Sequence, residues 1–153
     1  MIQDIIQTAF DFLRDHNEGI LGTVSGDRPA LRAFQVMRFE GETLFFATAP
    51  QKEVYRQLTL NPNIDFLVLH GKVSVRCSGK AHFDVDDATR LWIYHHNPVL
   101  PRLYTSPDKL VCFRLPVERL EYFDLRPTPP IVLHTDLATR RTLEGFRGER
   151  FMA

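Results

Sequence analysis

Residues 32–60, RAFQVMRFEGETLFFATAPQKEVYRQLTL, leave few folds open, because they read as strand, tight connection, strand, turn and helix in unbroken succession. RAFQVMRF mixes β-branched, aromatic and long apolar residues with two arginines, as suits a strand whose two faces meet different surroundings. In the EGET connection Gly41 is free to take a positive φ. TLFFAT is apolar enough to be buried on both faces. Ala49-Pro50 then ends the strand, and the following helix carries Pro50 near its first turn, where a missing N–H costs nothing.

A strand end that runs into a helix start leaves several backbone N–H groups without partners. With Thr48 and Lys52 beside them, and Arg32 one strand back, those groups make a candidate phosphate site. The competing reading is an ordinary junction with a solvated lysine. No GxxxxGK[ST] or GxGxxG pattern occurs anywhere to decide between them.

Around this stretch the chain supplies a helix, further strands and a second helix. Ile2, Ile5, Ile6, Ala9, Phe10 and Leu13 recur at helical spacing over residues 2 to about 15. GILGTVSGDRPALRAF reads as a short strand, a Gly-Asp-Arg-Pro turn and the strand that holds Arg32. Asn61-Pro62-Asn63 stops the central helix, and IDFLVLH is a strand. Residues 73–83 alternate, with Val73, Val75, Cys77, Ala81 and Phe83 on one face and Ser74, Arg76, Ser78, Lys80 and His82 on the other. DVDDATRLWIYHHN is a helix with Asp84 or Asp86 at its N-cap, and PRLYTSPDK is irregular or a short helical turn. LVCFRLPVERLEYFDL is a long strand interrupted at Pro116. IVLH suggests one more short strand, and the arginine-rich remainder reads as an arm or tail. Mostly antiparallel strands this close together point to a small β-barrel with helices on its rim.

The totals exclude several classes of function. Nineteen basic and nineteen acidic residues cancel, so no overall field recruits nucleic acid or an anionic membrane. The N-terminus lacks a basic start and no apolar run is long enough for a membrane span, so a cytoplasmic location is expected. Cys77 and Cys112 sit in apolar patterns as small buried hydrophobes. His95 and His96 are adjacent, about 100° apart on a helix, and cannot share a metal in the i, i+4 manner. No metal site is expected. Trp92 and Tyr94 read as anchors of their helix to the barrel. Arg140, Arg141, Arg147 and Arg150, interleaved with acids, read as a solvated tail.

RPALRAFQVMRFEGETLFFATAPQKEVYRQLTLNPNIDF, followed by VSVRCSGKAHF, resembles the pyridoxamine 5′-phosphate oxidase-like, FMN-binding split-barrel proteins. The similarity is greatest to their short branch of nitroimidazole-resistance and general-stress-type proteins, and it runs from Ile20 to about Leu125. It implies a mainly β, α+β fold: one domain, a six-stranded antiparallel split barrel with rim helices, and an arm over about 127–153. It implies an FMN cofactor held at a homodimer interface. Arg32 would reach the phosphate or ribityl chain, while Ala33, Phe34, Gln35 and Val36 would meet the isoalloxazine largely through backbone. Thr48, Gln51 and Lys52 would hold the phosphate. Gln51-Lys52 stands where the oxidase has an arginine-lysine pair. The oxidase's C-terminal substrate segment has no match in TDLATRRTLEGFRGERFMA, so pyridoxal phosphate synthesis is not expected. The expected function is an FMN-dependent oxidoreductase acting on a small molecule. Haem or a deazaflavin in place of FMN, a non-catalytic sensor or store, and a small barrel for single-stranded nucleic acid are the alternatives, with net neutrality against the last.

Overall fold

The computed structural model describes residues 4–145. Helix α1 spans Ile5–Asp15 and is capped by Asp4, whose side chain accepts from the Gln7 N–H at 3.0 Å. Ile5, Ala9, Phe10 and Leu13 are its buried stripe. Ile2 lies outside the described residues.

Among the described residues nine strands follow: β1 (Glu18–Ser25), β2 (Arg28–Gln35), β3 (Arg38–Glu40), β4 (Thr43–Thr48), β5 (Asn63–His70), β6 (Val73–Lys80), β7 (Val111–Asp124), β8 (Ile131–Asp136) and β9 (Arg141–Glu144). Helix α2 (Glu53–Leu60) lies between β4 and β5, and α3 (Asp87–His96) and α4 (Val99–Leu103) lie between β6 and β7. The antiparallel order is β2-β1-β5-β6-β7-β4-β3, with β8 on β7 and β9 on β8. Strand β7 is the common rail. Its first half pairs with β4 and its second half with β6 and β8, which curls the sheet into a split barrel. Phe46, Phe66 and Phe113 fill the inside and are fully buried. A second cluster, with Phe45, Ile93, Tyr94 and Leu100, fixes α3 and α4 to the outside of β4 and β7.

Three expectations change. RAFQVMRF is not one strand: it breaks at Val36–Met37, so that β2 pairs with β1 while β3 pairs with β4. The break needs no glycine, because the Val36 N–H goes to the Asn17 carbonyl and the Met37 N–H to that of Phe45, each at 2.8 Å. Pro116 does not interrupt β7, because it stands opposite Thr43, where the β4 pairing starts. The strand count exceeds six partly because residues 131–144 form a hairpin on β7 rather than a loose tail. Of the two N-cap candidates for α3, Asp86 holds the position and the helix begins at Asp87. Asp86 caps it through the Thr89 N–H, and Asp84 binds Arg114 instead. Arg140 pairs with Glu42, whereas Arg147 and Arg150 fall outside the described residues.

Candidate functional site

A cavity of about 340 Å³ opens where the ends of β1 and β2, the start of α2 and the short helix α4 meet. Ala33, Phe34 and Gln35 of β2 form one wall, beside Glu18 and Gly19 of β1. Val99, Leu100, Leu103 and Tyr104 form the facing wall, with Met37 and Ala47 between. Phe34 is backed by Phe46 and Phe113, each with its ring centre 6.0 Å away. Asn97 steadies the α3–α4 corner by donating to the Met37 and Ile93 carbonyls at 3.0 and 2.8 Å. Tyr94 is buried and donates to the Tyr104 carbonyl, so it anchors the helix pair. Trp92 is half-exposed, stacked between Arg38 and His96.

Lys52 brings a cation to this cavity. It is the N-cap of α2, makes no side-chain cap, and holds its Nζ over the Tyr104 ring, 5.5 Å from the centroid. No ion pair engages it among the described residues. Thr48, at the end of β4, is fully buried, and its hydroxyl has no hydrogen-bond partner among the described residues. Such a group ordinarily finds a partner. Glu53, in the first turn, is bound by Arg56 at 2.6 Å, which offsets its charge near the helix start.

Of the residues expected at the site, the cavity brings together Ala33, Phe34, Gln35 and Lys52. Gln51 is exposed and does not line it, and the Val36 side chain is buried in the core. Arg32 points to the same face of β2 as Phe34, where its guanidinium bonds Thr23 and Gln57. Burial lowers the Arg32 pKa from its ordinary value. Sequence reasoning missed Glu18, which reaches the cavity because β1 and β2 put it opposite Gln35. It offered only an irregular stretch or short helical turn from Pro101 where α4 begins at Val99, because Pro98 reads as a helix stop.

A larger cavity, about 390 Å³, lies on the outer face of β6–β9. Its charged side chains largely answer one another: Glu121 meets Arg76 at 3.0 Å and His134 at 3.5 Å. None of the residues picked out for an anion borders it. The thiols are remote from redox or nucleophilic use, since burial pushes Cys77 up to about 12 and Cys112 up to about 11. Among the described residues no helix is long and apolar enough to cross a membrane, and no group of three or more His, Cys, Asp or Glu side chains is placed to hold a metal.

A curled antiparallel sheet with a cleft between its edge strand and its rim helices is a split barrel of the kind that flavin-binding proteins share. The chain belongs to the pyridoxamine 5′-phosphate oxidase family, whose sequence model matches residues 5–121. Solved structures agree on the fold. A NimC/NimA family protein from Clostridium acetobutylicum superposes with a TM-score of 0.70 at 20% identity, over 84% of this chain and 92% of its own. An FMN-binding, pyridoxamine 5′-phosphate oxidase-related protein from Nostoc punctiforme gives 0.63 at 15% identity, covering 94% of each chain. A haem-binding protein from Mycobacterium smegmatis gives 0.72 at 15% identity, over 89% of this chain and 59% of its own. No functionally curated protein matches the sequence.

Proposed function

We propose that this chain is a homodimeric flavoprotein that holds FMN in the β2–α2–α4 cavity and passes electrons between a reductant and a small-molecule substrate. One observation carries the reading: a mostly apolar slot ends at an uncapped helix start that bears an unpaired lysine. The residues present fit the cofactor. Lys52 and the first N–H groups of α2 suit its phosphate, and Phe34, Met37 and Leu100 suit a flat aromatic ring; the Thr48 hydroxyl is buried behind the cavity wall and does not line it. Bound flavin supplies the redox chemistry. The chain's part is to bind and orient it and to keep one side dry. The FMN-binding Nostoc relative supports the choice of cofactor.

The Mycobacterium relative favours a second reading, a haem binder acting as sensor or store. Glu18, Met37, Lys52 and Tyr104 are the side chains of this cavity able to meet iron. Neither histidine nor cysteine lines it among the described residues. The absorption spectrum of the purified protein separates the two. Flavin bands that bleach with reduced nicotinamide or dithionite, and no pyridoxal phosphate made from pyridoxamine phosphate, are the expected result. A Soret band, or no uptake of added FMN, would overturn the flavin reading.

The homodimer reading rests on the outer face of β2, β1 and β5. The strand registers across it set Ala33 beside Ile20 and Ile20 beside Leu67. Leu31 and Leu69, both 70% exposed, extend this apolar patch, which adjoins Glu18 and Gln35 of the cavity. Leaving such a patch in water is unfavourable, and a symmetric copy covers it. Leu67→Glu is therefore expected to convert a dimer to a monomer in light scattering and to weaken flavin retention. A wild-type monomer at micromolar concentration with flavin bound would contradict this.

A further inference from the structure

Three elements of the barrel, β1, β2 and α2, meet in one closed polar ring at Gln57 in the second turn of α2. The Thr23 hydroxyl donates to Gln57 Oε1 at 2.6 Å, Arg32 Nη2 donates to the same oxygen at 2.6 Å, and Arg32 Nη1 donates to Thr23 Oγ1 at 2.7 Å. The Leu21 carbonyl accepts a longer bond, 3.3 Å, from Nη1. Thr23 and Gln57 are buried, at 4% and 7% exposed. A buried polar group is costly to keep unless it is fully bonded, and apolar residues of like size would fill this space more simply. The ring joins β1, β2 and α2, the elements that carry Glu18, Phe34 and Lys52 to the cavity.

The direction of the side chains gives the ring its use. Helical side chains lean toward the helix N-terminus, so Gln57, in the second turn of α2, is directed toward the first turn. The Arg32 guanidinium meets Gln57 from the face of β2 that also carries Phe34 two residues on. With a further long bond from Nη1 to the Ala30 carbonyl at 3.4 Å, the four bonds that Arg32 donates engage Nη1 and one hydrogen of Nη2. Nε–H and the second Nη2 hydrogen have no acceptor among the described residues.

We infer that Thr23 and Gln57 are positioning residues: they hold the Arg32 guanidinium at the N-terminal turn of α2, with two N–H groups left to meet the phosphate of the flavin. The inference rests on the flavin reading above, and it adds two residues that do not line the cavity. A group held in place beforehand loses less entropy when the phosphate arrives, and the benefit is specific to a ligand that has a phosphate. Neither residue lines the cavity that suits the ring system, so riboflavin should not sense the change.

Flavin fluorescence titrations of the full chain with FMN and with riboflavin test this. Thr23→Val, which keeps the shape and removes the hydroxyl, is expected to weaken FMN binding about tenfold, the loss of roughly one charge-assisted contact, and to leave riboflavin binding unchanged. Thr23→Ser should restore the wild-type ratio of the two affinities. Gln57→Glu, which pairs the guanidinium with a carboxylate and retains the packing, should also weaken FMN alone, and it serves if the valine variant does not fold. FMN affinity unchanged in Gln57→Glu and in folded Thr23→Val, or both flavins weakened in parallel, would overturn the inference and leave the flavin reading standing. Failure of the wild type to bind either flavin would overturn both.

Discussion

Phe46→Ala is expected to destabilise the fold by about 3–5 kcal/mol, the usual cost of emptying a large aromatic site in a packed core. Phe46 is fully buried on β4. Its ring meets Phe66 at 5.0 Å, Phe113 at 5.2 Å and Phe34 at 6.0 Å between centroids, so one truncation removes contacts from three neighbours. These four rings come from four different strands and cannot close the gap without moving the sheet. A urea titration should show a large fall in midpoint with little change in slope. Leu60→Ala serves as the comparison: Leu60 is 76% exposed at the end of α2, and its loss should change stability by no more than about 0.5 kcal/mol. Flavin uptake should also weaken in Phe46→Ala, because Phe34 lines the cavity and leans on Phe46. Equal stability of the two variants would mean that the aromatic cluster is not the centre of the core.

Much of this was legible in the chain, and the rest was hidden for particular reasons. The alternation over residues 73–80 read correctly because β6 has a core on one side only: Val73, Val75 and Cys77 are buried while Ser74, Arg76 and Ser78 are not. The junction from β4 to α2 was legible because Ala49-Pro50 ends the strand locally, although Pro50 stands two residues before the Lys52 N-cap and not in the first helical turn. The break at Val36–Met37 was not, since both halves are equally apolar and only their partners differ: β2 turns to β1, and β3 to β4. The β8–β9 hairpin was hidden by its polar composition. Its order comes from pairing with β7 and from a Thr135–Thr142 hydroxyl contact at 2.9 Å, both of them tertiary. For the cavity, the residues that are neighbours in sequence were found, namely Ala33, Phe34, Gln35 and Lys52. Glu18 and Tyr104 were missed because each arrives from a distant element, through strand register in one case and a five-residue helix in the other.

Lys52→Ala is expected to weaken FMN binding by about 1.5–3 kcal/mol, or on the order of tenfold to a hundredfold, while riboflavin binds as before. The lysine begins α2 with its Nζ over the Tyr104 ring, inside the cavity and outside any ion pair among the described residues. Without an anion its position is poor: a cation at a helix N-terminus opposes the dipole by about 0.3–1 kcal/mol. The contact with Tyr104 returns a similar amount, about 0.5–1 kcal/mol. The two nearly cancel, so the melting temperature of the flavin-free protein should barely move when Lys52 is replaced. That near-cancellation makes the variant a clean test, since a change in FMN affinity cannot then be laid to damage of the fold. The attraction of a lysine for a phosphate at a partly open site is also screened by salt. FMN affinity should therefore fall with ionic strength in the wild type, and fall less steeply in Lys52→Ala. If the variant keeps both the wild-type affinity for FMN and its salt dependence, the phosphate is held elsewhere, and the N-terminus of α2 is an ordinary helix start.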